Sequence, residues 1–152
     1  MEITKTADVS ITALFQVVTD SLKKDYHDNT LKKLADEAIV TGLNYIKTFG
    51  SSQQHQIKVV VESFDAPNQY VVSFHSNRGK QTISYHFKEL EANKTLITYV
   101  QDLQASDIFQ KGNRFLMNTV FKKSIEKQTQ AQLDALIMHA KALDTSEKER
   151  QS

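Results

Sequence analysis

The five histidines are the side chains of this sequence best suited to hold a metal ion or to move a proton near neutral pH. In the predicted strand register, His75 and His86 lie on the same face of adjacent strands. They are four strand positions apart, roughly 13 Å at about 3.3 Å per residue, whereas a metal–nitrogen bond is about 2 Å long. The sequence positions of His27, His55 and His139 do not match a metal-ligand spacing, and the pattern His-Glu-x-x-His is absent. The sequence therefore predicts surface histidines, with no metal and no cofactor.

The chain contains no cysteine, so it has no thiol nucleophile, no zinc–thiolate site and no redox pair. Ser51 and Ser52 precede His55, but a nucleophilic serine also needs an oriented base and an oxyanion hole. A polar hairpin loop explains this stretch more simply. Neither a Walker motif nor a dinucleotide-binding glycine pattern is present. The residues thus predict no catalytic set, and an enzyme ranks below a binding protein.

Charge and hydropathy argue against two further classes of protein, nucleic-acid binders and membrane-spanning proteins. Lys plus Arg number 19 and Asp plus Glu 18, whereas a nucleic-acid binder draws most of its affinity from a basic excess, so we expect no nucleic-acid partner. No run approaches the roughly 18 apolar residues of a membrane span, and the N-terminus lacks the apolar core of a signal peptide. For a chain of 152 residues, 39% of them hydrophobic, we expect one cytoplasmic domain over residues 1–144 and a frayed polar tail over 145–152.

A strand and a helix come first among the elements that must position these side chains. Glu2–Thr6 predicts a strand, and Ser10 is typical of a helix N-cap. Val9 and Leu14 stand at the two positions of a hydrophobic staple. The apolar residues that then repeat at helical spacing are Ile11, Leu14, Phe15, Val18 and Leu22.

The periodicity changes after this helix. A shorter helix is predicted within Leu31–Thr41, and Gly42 suits the left-handed position at its end. From Leu43 to about Leu103 the apolar period becomes 2, and the stretch is rich in Val, Ile, Thr, Tyr and Phe. This pattern predicts four or five antiparallel strands.

Two turns predict the register of the central strands. A loop at Asp65–Asn68 predicts two facing pairs: Val61 with Val72, and Val59 with Phe74. A turn at Arg78-Gly79 predicts three more: Tyr70 with Phe87, Val72 with Tyr85, and Phe74 with Ile83. Because side chains alternate between faces, both turns independently place the same residues of the shared strand inward. These residues are Tyr70, Val72 and Phe74.

The opposite side of the same strands is predicted to face solvent. Its residues are Lys58, Val60, Glu62, Ser73, His75, Thr82, Ser84 and His86. In the last strand two inward sets remain open: Leu96, Thr98 and Val100, or Ile97 and Tyr99.

A long C-terminal helix, capped by Ser106 and with Gly112 near its start, is predicted to run from Asn113 to Leu143, roughly 45 Å at about 1.5 Å per residue. Its apolar stripe is formed by Leu116, Val120, Phe121, Ile125, Leu133, Leu136, Ile137, Ala140 and Leu143. A polar segment over residues 126–132 interrupts the stripe and leaves Thr129 with small or amide side chains there. A helix packed continuously on a sheet would carry apolar residues in these turns, so the segment indicates a gap opposite the aromatic sheet face.

The order of elements resembles the START/Bet v 1-like (SRPBCC) superfamily, an α+β helix-grip fold whose curved antiparallel sheet wraps a long C-terminal helix. The stretches that carry the resemblance are Ser10–Phe15, Gly42–Lys47 and the terminal helix. The chain looks closest to a family of uncharacterised proteins from lactic-acid and related Gram-positive bacteria, known as a domain of unknown function. The resemblance implies a hydrophobic cavity between sheet and helix. It transfers no catalytic residue.

The leading hypothesis is a non-catalytic protein that binds a hydrophobic or amphipathic small molecule, such as a lipid, in that cavity. A protein-interaction or chaperone-assisting domain with a closed core is the alternative, with a patch around Gly112, and a cavity enzyme ranks third. A homodimer is compatible with each. The predicted pocket lining consists of Val59, Val61, Tyr70, Val72, Phe74, Tyr85, Phe87, Ile125, Thr129, Gln132, Leu133 and Leu136.

Overall fold

The computed structural model describes residues 1–49, 55–105 and 120–151. Its strands are β1 (Glu2–Ala7), β2 (Asn44–Phe49), β3 (His55–Asp65), β4 (Gln69–Ser76), β5 (Gly79–Glu91) and β6 (Lys94–Ala105). Its helices are α1 (Ile11–Thr30), a short 3₁₀ helix (Asp36–Ala38) and α2 (Val120–Gln151). The strands form one curved antiparallel sheet in the order β1-β6-β5-β4-β3-β2, and one core joins its inner face to both long helices. The predicted α+β helix-grip fold is confirmed.

The start of α1 follows the predicted capping chemistry. Ser10 has extended backbone angles, and its Oγ accepts a hydrogen bond from the Ala13 backbone N–H at 3.1 Å. The Ser10 backbone N–H and hydroxyl also donate to the two carboxylate oxygens of Asp144, at 2.8 and 2.7 Å. We call this pair of bonds the Ser10–Asp144 clamp. It fixes the beginning of α1 to the C-terminal part of α2.

The shorter helical piece predicted within Leu31–Thr41 is present as the three-residue 3₁₀ helix Asp36–Ala38. Leu31 takes a left-handed φ of 61° and closes α1 through its N–H bond to the His27 carbonyl. The buried anchors of the following stretch, Leu34 and Ile39, are five residues apart, a spacing that one helix face does not bring together. Gly42 does have a positive φ, 97°, but it lies in the turn that leads into β2.

The two predicted pairs between β3 and β4, Val61 opposite Val72 and Val59 opposite Phe74, are confirmed. An irregularity between Val61 and Ser63 shifts the register beyond them by one residue, so that Asp65, predicted to begin the loop, pairs with Gln69. The predicted register between β4 and β5 is wrong by two residues. The turn is at residues 77–78, followed by Gly79 with a φ of +140°, as in hairpins that combine a tight turn with a glycine at positive φ. The observed facing pairs are Tyr70 with Tyr85, Val72 with Ile83, and Phe74 with Gln81. A shift of two residues preserves the face, so Tyr70 and Val72 still point inward.

The inner face of β6 carries Ile97 and Tyr99, both buried, which decides between the two sets left open by the sequence. On the outer face the prediction for Ser73 is wrong, since this residue is 0% exposed. Glu62 and His75 lie over it and hydrogen-bond to its hydroxyl at 2.6 and 2.9 Å. The remaining outer residues of this set are exposed or half-buried.

Helix α2 is described from Val120 and continues to Gln151, past the point at Thr145 where the sequence predicted a frayed tail. Its predicted start at Asn113, the predicted cap Ser106 and the patch around Gly112 lie outside the described residues. The buried residues of α2 are Thr129, Leu133, Leu136 and Ala140. In the described part of the chain, no helix combines the length and apolarity needed to cross a bilayer.

Candidate functional site

A cavity of about 530 Å³ lies between α1, α2 and strands β2 to β5. Seven of the predicted lining residues border it: Val59, Tyr70, Val72, Phe74, Tyr85, Gln132 and Leu136. The others do not border it: Val61, Phe87, Thr129 and Leu133, which are buried, and Ile125, which is half-buried. The walls are mostly apolar, and the polar groups are concentrated on a few residues.

Helix α1 and strand β2 supply lining residues that the sequence analysis missed, as do β5 and α2. They are Val17, Val18, Ser21, Leu22, Asp25, Tyr45, Lys47, Ile83, Ala135 and His139. A usable signal was present for Asp25, which follows Leu22 by three residues and so places a carboxylate on the apolar stripe of α1. Lys47 likewise shares the inward parity of Tyr45 along β2.

Asp25, Tyr45 and Lys47 form what we call the Asp25 cluster. The Tyr45 hydroxyl donates to Asp25 Oδ2 at 2.5 Å, and Lys47 Nζ lies 2.7 Å from Asp25 Oδ1. Burial, together with the hydrogen bond and negative charge of Asp25, raises the pKa of Tyr45 well above its usual range. The cluster therefore pairs one negative and one positive charge beside a phenol that stays protonated.

Three tyrosines stand directly opposite one another on β4, β5 and β6: Tyr70, Tyr85 and Tyr99. We call them the tyrosine row. The rings of Tyr70 and Tyr85 are stacked with centroids 6.3 Å apart, and Tyr85 meets Tyr99 edge-on at 5.2 Å. The two-residue correction of the β4–β5 register creates this row, because the predicted register had placed Tyr70 opposite Phe87.

Tyr70 and Tyr85 direct polar groups to the cavity. Tyr70 is only 7% exposed, and within residues 1–49, 55–105 and 120–151 neither hydroxyl has a hydrogen-bond partner. Burial raises the pKa of Tyr85 to about 12 and that of Tyr70 further, with the negative charge of Asp25 contributing to the shift at Tyr70. Both phenols thus remain protonated and available as donors. A buried hydroxyl normally has a partner, so Tyr70 indicates a place for one.

Thr129 lies in the core beside Tyr99 and does not border the cavity. It is 3% exposed and faces the core, but its side chain interacts with the hydroxyl of Tyr99. Burial raises the pKa of Tyr99, and the hydrogen bond with Thr129 opposes that shift. The polar position on α2 is therefore explained by Tyr99, whose hydroxyl also donates to Gln101 Oε1 at 3.2 Å.

Ser73, His75 and Glu62 have the residue types of a hydrolytic triad, but their geometry differs from one. The Ser73 hydroxyl donates to Glu62 Oε1 at 2.6 Å, and its oxygen lies 2.9 Å from His75 Nε2. The same His75 nitrogen faces Glu62 at 4.0 Å, so the carboxylate does not orient the far side of the imidazole. Because Ser73 is also fully buried, this group stabilises the outer face and presents no nucleophile.

The described histidines do not cluster. His75 pairs with Lys80 and His86 with Gln69, so the corrected register separates them by six positions along β5, roughly 20 Å at about 3.3 Å per residue. Among residues 1–49, 55–105 and 120–151, no three histidine, aspartate or glutamate side chains are placed to share a metal ion. Ser51 and Ser52 lie outside the described residues.

Residues 1–122 match the family described as Domain of unknown function (DUF3284). The chain belongs to this family. The match covers everything from β1 through β6 and so includes the sheet that forms the cavity wall. No curated protein sequence matches the chain.

Solved structures with this fold come from distant proteins. A START superfamily protein from Mycobacterium smegmatis matches with a TM-score of 0.59 at 13% identity, covering 94% of this chain and 97% of that one. The Polyketide_cyc-like protein Cgl2372 from Corynebacterium glutamicum matches with a TM-score of 0.54 at 18% identity, covering 98% and 93%. Norcoclaurine synthase from Thalictrum flavum, in complex with dopamine and hydroxybenzaldehyde, matches with a TM-score of 0.54 at 14% identity, covering 91% and 83%. At these identities the similarity establishes the START-like fold alone.

Proposed function

We propose that this protein binds a hydrophobic or amphipathic small molecule in the cavity between α1, α2 and the inner face of the sheet, without transforming it. The observation that carries this proposal is a space of about 530 Å³ whose apolar wall includes a buried tyrosine hydroxyl with no partner in the described residues. Cavities of roughly 300–1,000 Å³ with a few polar groups are typical of small-molecule sites.

The size of the space supports a ligand over a packing defect. Protein interiors are close-packed, and their ordinary voids hold at most a few waters of roughly 30 Å³ each. A volume of about 530 Å³ is far larger than that. The complex of norcoclaurine synthase with dopamine and hydroxybenzaldehyde adds that a protein of this fold takes small aromatic molecules. We therefore favour a bound molecule over a closed core.

A substitution at the helical wall tests the proposal. Ala135 lines the cavity from α2, so Ala135→Phe should fill the space and abolish binding of a neutral fluorescent dye such as N-phenylnaphthylamine. Ala142 is exposed on the same helix, so Ala142→Phe should bind the dye as the wild type does. Native mass spectrometry of the protein purified from bacteria should detect a noncovalent ligand in the wild type and in Ala142→Phe. Equal dye binding by both variants, or none by the wild type, would contradict the proposal.

The other expectations stand as lesser proposals. The charge balance of 19 to 18 supports the absence of a nucleic-acid partner, and the lack of cysteine accords with a cytoplasmic location. One domain over residues 1–144 accords with the single core that joins the sheet to both long helices. The chaperone-assisting alternative depends on a patch around Gly112, outside the described residues, and capture of a client protein by the Ala135→Phe variant would favour it.

A further inference from the structure

Each carboxylate oxygen of Asp25 already accepts a strong hydrogen bond. Asp25 Oδ2 accepts from the Tyr45 hydroxyl at 2.5 Å, and Oδ1 accepts from Lys47 Nζ at 2.7 Å. The Asn29 side-chain amide lies at 3.5 Å from the same Oδ1 and bonds the Asp25 backbone carbonyl at 2.8 Å. A ligand cation at Asp25 would share the carboxylate with the Lys47 ammonium, whose positive charge opposes its approach.

The hydrogen-bond donors beside Asp25 are not all used. The Lys47 ammonium carries three N–H donors, and Asp25 is the partner that the described residues give it. Its side chain is 39% exposed and borders the cavity, so the remaining donors are accessible from inside. The Tyr70 hydroxyl is a second donor without an acceptor in the described part of the chain. The polar side of the cavity thus offers surplus hydrogen-bond donors beside the paired charges of Lys47 and Asp25.

The rest of the lining is mostly apolar, with uncharged hydroxyl groups from Ser21 and Tyr85. Val18, Leu22, Val59, Val72 and Leu136 provide the apolar wall opposite and around the cluster. His139 and Gln132 add polar groups on α2, where both residues are exposed. An amphiphile would therefore bury its chain or ring among the aliphatic residues and direct its single polar end to Lys47 and Tyr70.

We propose that this cavity selects ligands with a carboxylate at the polar end, held by Lys47 Nζ and the Tyr70 hydroxyl. The inference rests on the proposed function, since it names the ligand class of the same cavity. A carboxylate accepts charge-assisted hydrogen bonds from an ammonium and a phenol at once, whereas an alcohol gains less and an amine meets the positive charge of Lys47. Asp25 and Tyr45 act as positioning residues that hold the ammonium at the cavity wall.

Three ligands that share one alkyl chain test the inference: decanoate, decanol and decylamine. Each competes with N-phenylnaphthylamine, a neutral dye that reports on the cavity alone. At neutral pH we expect decanoate to displace the dye at least about tenfold more effectively than decanol, the magnitude of one charged hydrogen bond, and decylamine to be weakest.

Matched variants test which residues produce the preference for a carboxylate. Lys47→Met should reduce the decanoate-to-decanol ratio to near one, whereas Lys58→Met, on the neighbouring strand and the opposite face, should leave it unchanged. Tyr70→Phe should lower the ratio about fivefold, and Tyr99→Phe, outside the cavity lining, should not change it. Because Lys47→Met leaves Asp25 without its cation, thermal unfolding must verify that this variant folds. Lys47→Arg keeps the positive charge and should retain the preference for decanoate.

Two failures can be told apart. If the wild type binds the dye but decanoate, decanol and decylamine displace it equally, or decylamine best, the carboxylate inference is overturned and the cavity function remains. An unchanged ratio in folded Lys47→Met overturns it as well. If the wild type binds neither the dye nor any of the three compounds, the proposed function itself fails and the inference falls with it.

Discussion

Asp25 contributes both to the stability of the fold and to the polarity of the cavity. Its position three residues after Leu22 brings a carboxylate onto the buried stripe of α1, and Lys47 on β2 balances that charge at 2.7 Å. An unpaired charge this close to an apolar cavity would be costly, so the ion pair and the Tyr45 bond are what make the position tolerable. The same residues give the cavity its polarity. Stability and the proposed recognition of a ligand thus involve one cluster.

Replacing Asp25 tests this dual role. Asp25→Asn should lower the free energy of unfolding by about 1–3 kcal/mol, because it removes the counter-charge of Lys47 and weakens the Tyr45 bond. Urea denaturation measures the loss. Asp28→Asn is the control on the same helix, since Asp28 is exposed and pairs only with Lys24, one turn away; it should change stability little. Equal effects of the two changes would refute the role given to Asp25.

At the scale of the elements, the Ser10–Asp144 clamp joins the two helices that enclose the cavity with the sheet. One carboxylate accepts from the backbone N–H and the hydroxyl of Ser10, while the Ser10 oxygen still caps α1. Asp144 lies one turn beyond the buried Ala140, and the helix continues past it to Gln151. The position of α2 over the sheet is therefore fixed at its C-terminal part by hydrogen bonds.

Removing the clamp should destabilise the protein. Asp144→Ala deletes two hydrogen bonds, one of them to a backbone N–H at the helix start, and should cost about 1–3 kcal/mol in urea denaturation. Asp134→Ala removes the ion pair with Lys5. Because the Asp134 side chain is 66% exposed, this change should cost less than about 1 kcal/mol. A smaller loss for Asp144→Ala than for Asp134→Ala would contradict this account of how α2 is held.

The accuracy of each sequence-based prediction depends on how far apart along the chain the interacting residues lie. The Ser10 cap, the inward parity of Tyr70 and the pairing of Val61 with Val72 rest on local spacing, and all three are confirmed. The predicted β4–β5 register is wrong by two residues. A turn at Arg78-Gly79 and a turn at residues 77–78 are both acceptable, and both place the same residues on the inward face. The pairing of Asp25 with Lys47 joins residues 22 positions apart, which no periodicity encodes.

Thr129 shows the same limit within the candidate site. Its polarity was a correct signal of something unusual opposite α2, but the partner is the Tyr99 hydroxyl. Since the sequence left the inward face of β6 open between Tyr99 and its neighbours, this partner could not be assigned. The cavity also borders α1, through Val18 and Leu22 of its predicted apolar stripe.

For the whole molecule, the buried tyrosines link stability to alkaline pH. Burial raises the pKa of Tyr45, Tyr70 and Tyr85 in the folded state, whereas the unfolded chain ionises near the ordinary value of about 10. The unfolded state then binds fewer protons than the native state, so stability is complete below about pH 10 and falls as pH rises above it. The loss continues through the pKa of Tyr85, about 12, and beyond.

Denaturation at increasing pH measures this effect. The urea midpoint should decline steadily from about pH 10 upward, and absorbance titration should find the ionisation of Tyr85 delayed relative to the unfolded chain. Tyr85→Phe removes one contributor and should make the decline shallower. A midpoint that stays constant through about pH 11 would be inconsistent with three buried phenols.

The sheet order has a consequence for how a guest molecule would reach the interior. Among the described strands, β2 has a single neighbour, β3, yet it carries Tyr45 and Lys47. A strand at a sheet margin is bonded along one side only, so moving it aside breaks fewer backbone bonds than parting two central strands. A ligand that entered along this margin would pass Tyr45 and Lys47 with its apolar end first and would leave its charged end beside them.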